Sequence, residues 1–255
     1  MTITASGHKI MSKQEIARGI FDIWVEYADT EAVKPGQFVD VRCEGFTLRR
    51  PISICEIDRE NSRLRLVFEI RGDGTRQLAQ VNPGEFLDIL APLGNGFNLG
   101  KTSRRAIFVG GGIGVPPLLE AAKPFGGNAD VILGFRTAAA AILKEDFERI
   151  GSHVTLMTED GSAGEKGFVT LPLIRRLEKD ACDVIFACGP RPMLKAVAQE
   201  AEKRSVPCFV SMEAHMACGV GACLSCACKT TFEGKEQYQH VCKNGPVFDA
   251  KRIVW

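Results

Sequence analysis

The sequence predicts a multi-domain β + α/β chain: an antiparallel β-barrel or sandwich, then an α/β unit with a parallel sheet, then a small cysteine-rich C-terminal segment. Three observations carry this expectation. Short apolar runs separated by turn residues fill the first hundred positions. After Lys101, strand-like and helix-like runs alternate, the pattern of a parallel sheet covered on both faces. Five of the ten cysteines lie between Cys218 and Cys242. The expected divisions are 1–100, 101–209 and 210–255.

In the first region IFDIWVEY, QFVDVRC, RLRLVFEIR and EFLDILAPLG are rich in β-branched and aromatic residues, and PGQ, DREN and NPGE separate them. TRQLAQV reads as a short helix before the last of these strands. Arg50, Pro51, Ile52 and Ser53 open the apolar run ISICEI, where a proline suits a strand start. Taken alone, this could be an edge strand with a surface arginine. Gly72, Asp73, Gly74 and Thr75, however, immediately precede or begin the helical piece. A glycine-rich turn opening a helix offers backbone amides to a phosphate, and an arginine from the barrel can supply the matching charge.

In the second region AIFV runs into Gly110, Gly111, Gly112 and Gly114, and VPPLLEAAK follows as a helix with proline in its first turn. Strand, glycine turn and helix in that order suit a dinucleotide pyrophosphate. The fingerprint is not strict, because Val115 stands where a third glycine or alanine is usual. VILGF, HVTLMTE and DVIFACG are further strands, and AILKEDFERI, TLPLIRRLEK and RPMLKAVAQEAEKR are helices. Cys188, Gly189 and Pro190 end the DVIFA strand. In an open parallel sheet both glycine turns would line the crevice at the strands' carboxyl ends. Cys188 could equally be a small buried residue there.

Cys218, Cys223, Cys226 and Cys242 have the spacing C-x4-C-x2-C-x15-C. The first two intervals are those of plant-type 2Fe–2S sites, in which one tight loop supplies three thiolates and a distant position the fourth. Gly219 and Gly221 let that loop curl close to a cluster. A structural zinc site is the competing reading, but zinc sites usually pair two C-x2-C knuckles or add histidines. Cys228 reads as a buried thiol rather than a ligand.

Composition narrows the field. The 255 residues are 45% hydrophobic and 25% charged, with 32 basic and 31 acidic side chains. A formal net charge of +1 leaves no broad basic footprint for nucleic acid or an anionic membrane. No run reaches the ~18 apolar residues of a membrane span. The start, MTITASGHKIMSK, lacks the pattern of a secretory signal. A cytoplasmic chain is expected, with its thiols reduced.

Taken in order, RRPISICEI, GTRQLAQVNPGE, VGGGIGVPPLL, TEDGSAGEKGFVT, ACGPRPML, HMACGVGACLSCACK and VCKNGPVFDA resemble the ferredoxin–NADP reductase superfamily. Within it the chain resembles the electron-transfer subunits of dihydroorotate dehydrogenase B, over essentially its whole length. The resemblance implies that Arg50, Pro51, Ile52 and Ser53 bind FAD and that Gly74 and Thr75 contact its pyrophosphate. It implies that Gly111, Gly112 and Gly114, with Cys188, Gly189 and Pro190, shape the NAD pocket, and that Cys218, Cys223, Cys226 and Cys242 hold a 2Fe–2S cluster. It further implies a separate FMN-containing catalytic subunit that oxidises dihydroorotate to orotate in pyrimidine biosynthesis, joined in a heterotetramer of two of each. The implied route is dihydroorotate, partner FMN, 2Fe–2S, FAD, NAD⁺. No motif in this chain suggests a dihydroorotate site of its own.

Arg136-Thr137, after the second strand of the sheet, could favour NADP by meeting a 2′-phosphate; the resemblance favours NAD. Two further readings stay open. One is a reductase subunit of another flavin–iron–sulfur assembly, such as a bifurcating NADH-dependent ferredoxin–NADP oxidoreductase or a sulfide dehydrogenase, against which the KNGPVFDA tail argues. The other is a zinc-binding interaction protein on a reductase-like fold, which would be colourless.

Overall fold

The computed structural model describes residues 4–255. Six strands come first: β1 (Thr4–Ala17), β2 (Ile20–Glu26), β3 (Phe38–Val41), β4 (Arg50–Asp58), β5 (Arg63–Glu69) and β6 (Phe86–Leu93). They close into an antiparallel barrel of order β1-β2-β5-β4-β3-β6. The choice between barrel and sandwich is settled by β1. Its first half, Thr4–Lys9, pairs with β6, and its second half, Ile10–Ala17, pairs with β2. One long strand thus seals both edges of the barrel. Side chains alternate across each strand. Val39 and Val41 enter the barrel core with Ile54, Leu66 and Ile89, so Asp40 between them points outward. The helix α1 (Asp73–Leu78) follows β5, as TRQLAQV predicts.

The α/β unit comprises β7 (Ala106–Gly111), α2 (Pro116–Ala122), β8 (Ala129–Phe135), α3 (Lys144–Arg149), β9 (His153–Thr158), β10 (Glu165–Lys166), α4 (Thr170–Lys179), β11 (Val184–Cys188), α5 (Arg191–Lys203) and β12 (Cys208–Ser211). The last segment adds the hairpin β13 (Ala227–Phe232) and β14 (Lys235–His240), then β15 (Val247–Asp249). The sheet order is β10-β9-β8-β7-β11-β12-β15. Its neighbours are parallel except β15, which lies antiparallel on β12. Every residue of β7 is buried, as expected for a central parallel strand covered on both faces. β12 straddles position 209, where the sequence places a boundary, and β15 completes the sheet from the cysteine-rich segment.

Charge fastens the barrel to the sheet. Arg65 on β5 reaches Asp22 (2.7 Å), Glu56 (3.1 Å) and Asp146 of α3 (2.7 Å). Glu120 of α2 accepts the Ile57 N–H (3.1 Å) and pairs with Arg59 and Lys123. The cysteine-rich segment is fastened by a shared apolar core: Cys226, Val241 and Cys242 pack in one cluster with Val210 and Phe248, and with Phe38 and Leu93 of the barrel. Among the described residues no helix is long and apolar enough to cross a membrane.

Candidate functional site

Three groups of residues singled out by the sequence come together. The first lies where β4 begins. Arg50 stands opposite Val41 in the ladder, Pro51 opposite Asp40, Ile52 opposite Val39 and Ser53 opposite Phe38. The Arg50 guanidinium sits 5.1 Å from the Phe46 ring centroid and donates to the Leu48 carbonyl at 2.6 Å. It also lies against Gly74, where a β-carbon would displace it. Glycine at 74 lets the guanidinium settle on the turn, so the strand start and the helix turn do meet. The Thr75 hydroxyl is occupied within the turn: it accepts the Arg71 N–H (2.9 Å) and the Gly72 N–H (3.2 Å) and donates to the Gly72 carbonyl (3.0 Å). The first bond of the α1 ladder is Arg76 N–H to the Gly72 carbonyl, at 2.9 Å. The amides of residues 73–75 lie ahead of it, as at any helix start. This turn can offer a phosphate its backbone amides and the guanidinium.

The second group closes the central strands of the sheet. Gly110 on β7 and Cys188 on β11 are level in register. A β-carbon on Gly114 would stand 2.6 Å from the Cys188 carbonyl and the Gly189 backbone. Gly189, at φ +155°, lies against the Gly111 backbone, and Gly111 itself faces Met193 and Pro190. The two turns therefore pack backbone to backbone. Gly112 (φ +53°) has open space where its β-carbon would be. Burial pushes the Cys188 thiol up to about 12, against a hydrogen bond with Ser211. That thiol is neutral at pH 7. Arg136, just past β8, is exposed.

The third group is the cysteine loop. Residues 212–226 form no helix or strand. Cys226 and Cys242 are buried, at 1% and 2% exposure, with sulfurs 3.3 Å apart. Cys218 and Cys223 form a second, more exposed pair. The Ala222 amide donates to Cys218 Sγ at 3.3 Å. Desolvation raises the Cys218 thiol, but hydrogen bonds from the Val220 amide, the Cys223 side chain and the Cys223 and Ala222 amides outweigh it and bring the group down to about 6. Burial, with the Cys226 thiol beside it, pushes Cys242 up to about 12. Among the described residues no three His, Cys, Asp or Glu side chains converge on one point that could hold a single ion. The four thiols come as two pairs, Cys218 with Cys223 and Cys226 with Cys242. Gly219 (φ +67°) and Gly221 (φ +79°) adopt the left-handed backbone that the curl of this loop requires. Cys228 is buried on the core face of β13, its thiol raised by desolvation.

Two features escaped the sequence reading. Asn95, just after β6, clamps the turn that carries Cys242. Its N–H donates to the Gly245 carbonyl (2.6 Å), and its side-chain amide donates to the carbonyls of Lys243 (2.9 Å) and Asn244 (3.2 Å). The Asn-Gly pair at 244–245 signals a turn, but nothing local names its partner. The other is Asp40, buried to 1% exposure where the cysteine loop crosses the barrel.

Comparison with known proteins bears on all three groups. Residues 213–254 match the family described as the iron-sulfur cluster binding domain of dihydroorotate dehydrogenase B. Residues 108–199 match the oxidoreductase NAD-binding domain. The dihydroorotate dehydrogenase B (NAD(+)) electron transfer subunit of Bacillus caldolyticus is 45% identical over 235 residues, 88% of each chain. The subunit of the same name from Caldanaerobacter subterraneus subsp. tengcongensis is 38% identical over 249 residues, 97% of each. Among solved structures, that of the NADH-dependent reduced ferredoxin-NADP oxidoreductase superposes with a TM-score of 0.85 at 28% identity, covering 99% of this chain and 91% of that one. The ferredoxin reductase in carbazole 1,9a-dioxygenase shares the fold, with a TM-score of 0.68 at 18% identity over 81% of this chain and 68% of that one. The reductase fold, the NAD-binding region and the iron–sulfur region give an oxidoreductase subunit whose cofactors are FAD, NAD and a 2Fe–2S cluster. The chain belongs to the family of electron transfer subunits of dihydroorotate dehydrogenase B.

Proposed function

We propose that this chain takes electrons from an FMN-containing catalytic subunit that oxidises dihydroorotate and delivers them to NAD⁺, in a cytoplasmic heterotetramer of two subunits of each kind. The observation that carries the reading is the convergence just described. The cysteine loop lies directly on the barrel that holds Arg50, and the same cysteine-rich segment ends as a strand of the sheet that holds the glycine turns. All three sites therefore share one body.

In this reading residues 1–100 hold FAD through Arg50, Pro51, Ile52 and Ser53, with the backbone of Gly74 and Thr75 toward its pyrophosphate. Residues 101–209 hold NAD through Gly111, Gly112 and Gly114 and through Cys188, Gly189 and Pro190. Residues 210–255 hold the cluster through Cys218, Cys223, Cys226 and Cys242. When bound, the cluster supplies one-electron transfer, FAD exchanges single electrons for a hydride, and NAD⁺ takes the hydride. The chain's own residues do the rest. Arg50 brings a permanent charge to an anionic phosphate. The amides aimed at Cys218 stabilise negative charge on sulfur, and the apolar packing behind Cys226 and Cys242 keeps water from that side. The neutral Cys188 thiol gives the nicotinamide pocket an uncharged wall.

The purified chain alone should pass electrons from NADH to a dye and leave dihydroorotate untouched. Added to an FMN-bearing dihydroorotate dehydrogenase subunit from the same organism, it should support NAD⁺ reduction by dihydroorotate. Dihydroorotate oxidation by the chain alone would contradict this division of labour. The 28% identity to the ferredoxin-NADP oxidoreductase favours a second reading, a subunit of a bifurcating assembly. Pull-down of a ferredoxin-dependent flavoprotein, with no dihydroorotate activity, would select that one.

A further inference from the structure

We infer that Asp40 is a positioning residue for the iron–sulfur cluster: its buried carboxylate abuts the Gly219 turn of the cysteine loop, holds a fixed negative charge there, and keeps the reduction potential of the site low. This rests on the proposal that Cys218, Cys223, Cys226 and Cys242 hold the cluster.

The geometry starts from the alternation of β3. Val39 and Val41 fill the barrel, and Asp40 projects from its outer wall. There the cysteine loop covers it, leaving it 1% exposed. A β-carbon at Gly219 would stand 2.6 Å from Asp40 Oδ2 and 3.5 Å from Leu93 Cδ1. The carboxylate and the loop backbone are therefore in contact, one residue along from Cys218. Among the described residues Asp40 Oδ1 is buried with no hydrogen-bond partner. The neighbouring arginines are engaged elsewhere. Arg49 donates to the Asp40 main-chain carbonyl (3.2 Å) and pairs with Asp88 (2.9 Å). Arg50 turns to the Leu48 carbonyl and the Phe46 ring. Burial raises the Asp40 carboxyl, and the charges of Arg49 and Arg50 restrain the rise, leaving it at about 6. A buried carboxylate without a partner costs stability that an apolar residue beside Leu93 would not. What the carboxylate offers is charge. A negative charge held close to a cluster disfavours the arrival of an electron.

The test is a redox titration of the holoprotein, followed by the electron paramagnetic resonance signal of the reduced cluster. Asp40→Asn should keep its iron, sulfide and FAD, and its cluster midpoint should rise by at least about 59 mV, a tenfold shift in a one-electron equilibrium. Asp40→Glu should stay near the wild-type value. A fully loaded Asp40→Asn with an unchanged midpoint, or with a shift confined to the flavin, would overturn the inference. Should Asp40→Asn assemble no cluster, Asp40→Ser and Asp40→Glu decide. Loss in both neutral variants with retention in Glu supports the need for a negative charge at position 40. Loss in Glu as well makes position 40 a packing position and overturns the inference. A wild-type chain that binds no iron would instead refute the ligand assignment, a different and recognisable failure.

Discussion

The glycine turns at Gly110–Gly114 and Cys188–Pro190 cap β7 and β11, two central neighbours in the sheet, and backbone meeting backbone shapes them. The loop from Cys218 to Cys226 has no strand within it; contacts from Asp40 and Leu93 at Gly219 and from Lys243 at Gly221 shape it, and Asn95 clamps the turn of Lys243. Both depend on glycine, for different reasons. In the sheet, an added β-carbon at Gly114 would strike another backbone segment. In the loop, Gly219 and Gly221 take a left-handed φ that few side chains tolerate. The first region should therefore be sensitive to size and tolerant of chemistry. The second should be sensitive to the loss of a sulfur and to its distant supports.

The largest effect follows from the second half of that contrast. Cys226→Ser and Cys242→Ser each remove one of a buried thiol pair and should lose most of the iron and acid-labile sulfide, measured on purified protein. Full iron retention in Cys242→Ser would remove that residue from the ligand set. Next, Gly114→Val should cripple NADH use while iron content stays intact. Displacing the Cys188–Gly189 backbone from the pocket should lower kcat/KM for NADH with a dye about tenfold or more, roughly 1.4 kcal/mol or more of lost transition-state binding. Loss of iron in this variant would mean that the two regions are not separable. Arg50→Ala should weaken FAD binding about tenfold or more, since a charge-assisted hydrogen bond contributes roughly 1.5–3 kcal/mol. Flavin released on dilution reports it, and unchanged affinity would make Arg50 a surface arginine. The smallest effect belongs to Cys228→Ala, which should keep its full complement of iron, because that thiol faces the core. Iron loss there would redraw the ligand set.

The same contrast explains what could be read from the sequence. The sheet was legible because its strands are apolar runs and its helices periodic: α4 spans the residues of TLPLIRRLEK, and α5 nearly those of RPMLKAVAQEAEKR. The four cysteines were legible because a cluster demands its spacing. β1 was not. Between Gly7 and Ala17 only Ile10 is buried, and register shifts after Ile10 and Glu15 break any alternation. Its reason for being a strand lies in its two partners. β15, three residues long, is a strand only because β12 accepts it. Asp40 reads as the solvent-facing member of an alternating run, and only the arrival of a segment nearly 180 residues later buries it. Local pattern reveals elements that bury their own faces. It does not reveal polar residues covered by distant chain.

The cysteine loop is the proposed connection between the partner subunit and the rest of this chain. The most direct measurement compares two activities in one cluster-free variant, Cys226→Ser, shown beforehand to retain FAD and to bind its partner. NADH–dye activity should largely survive, because it needs only the barrel and the sheet. NAD⁺ reduction by dihydroorotate in the complex should be abolished. If the complex made with this variant still reduced NAD⁺ with dihydroorotate at the wild-type rate, the loop would not be an obligatory connection, and the account would be wrong.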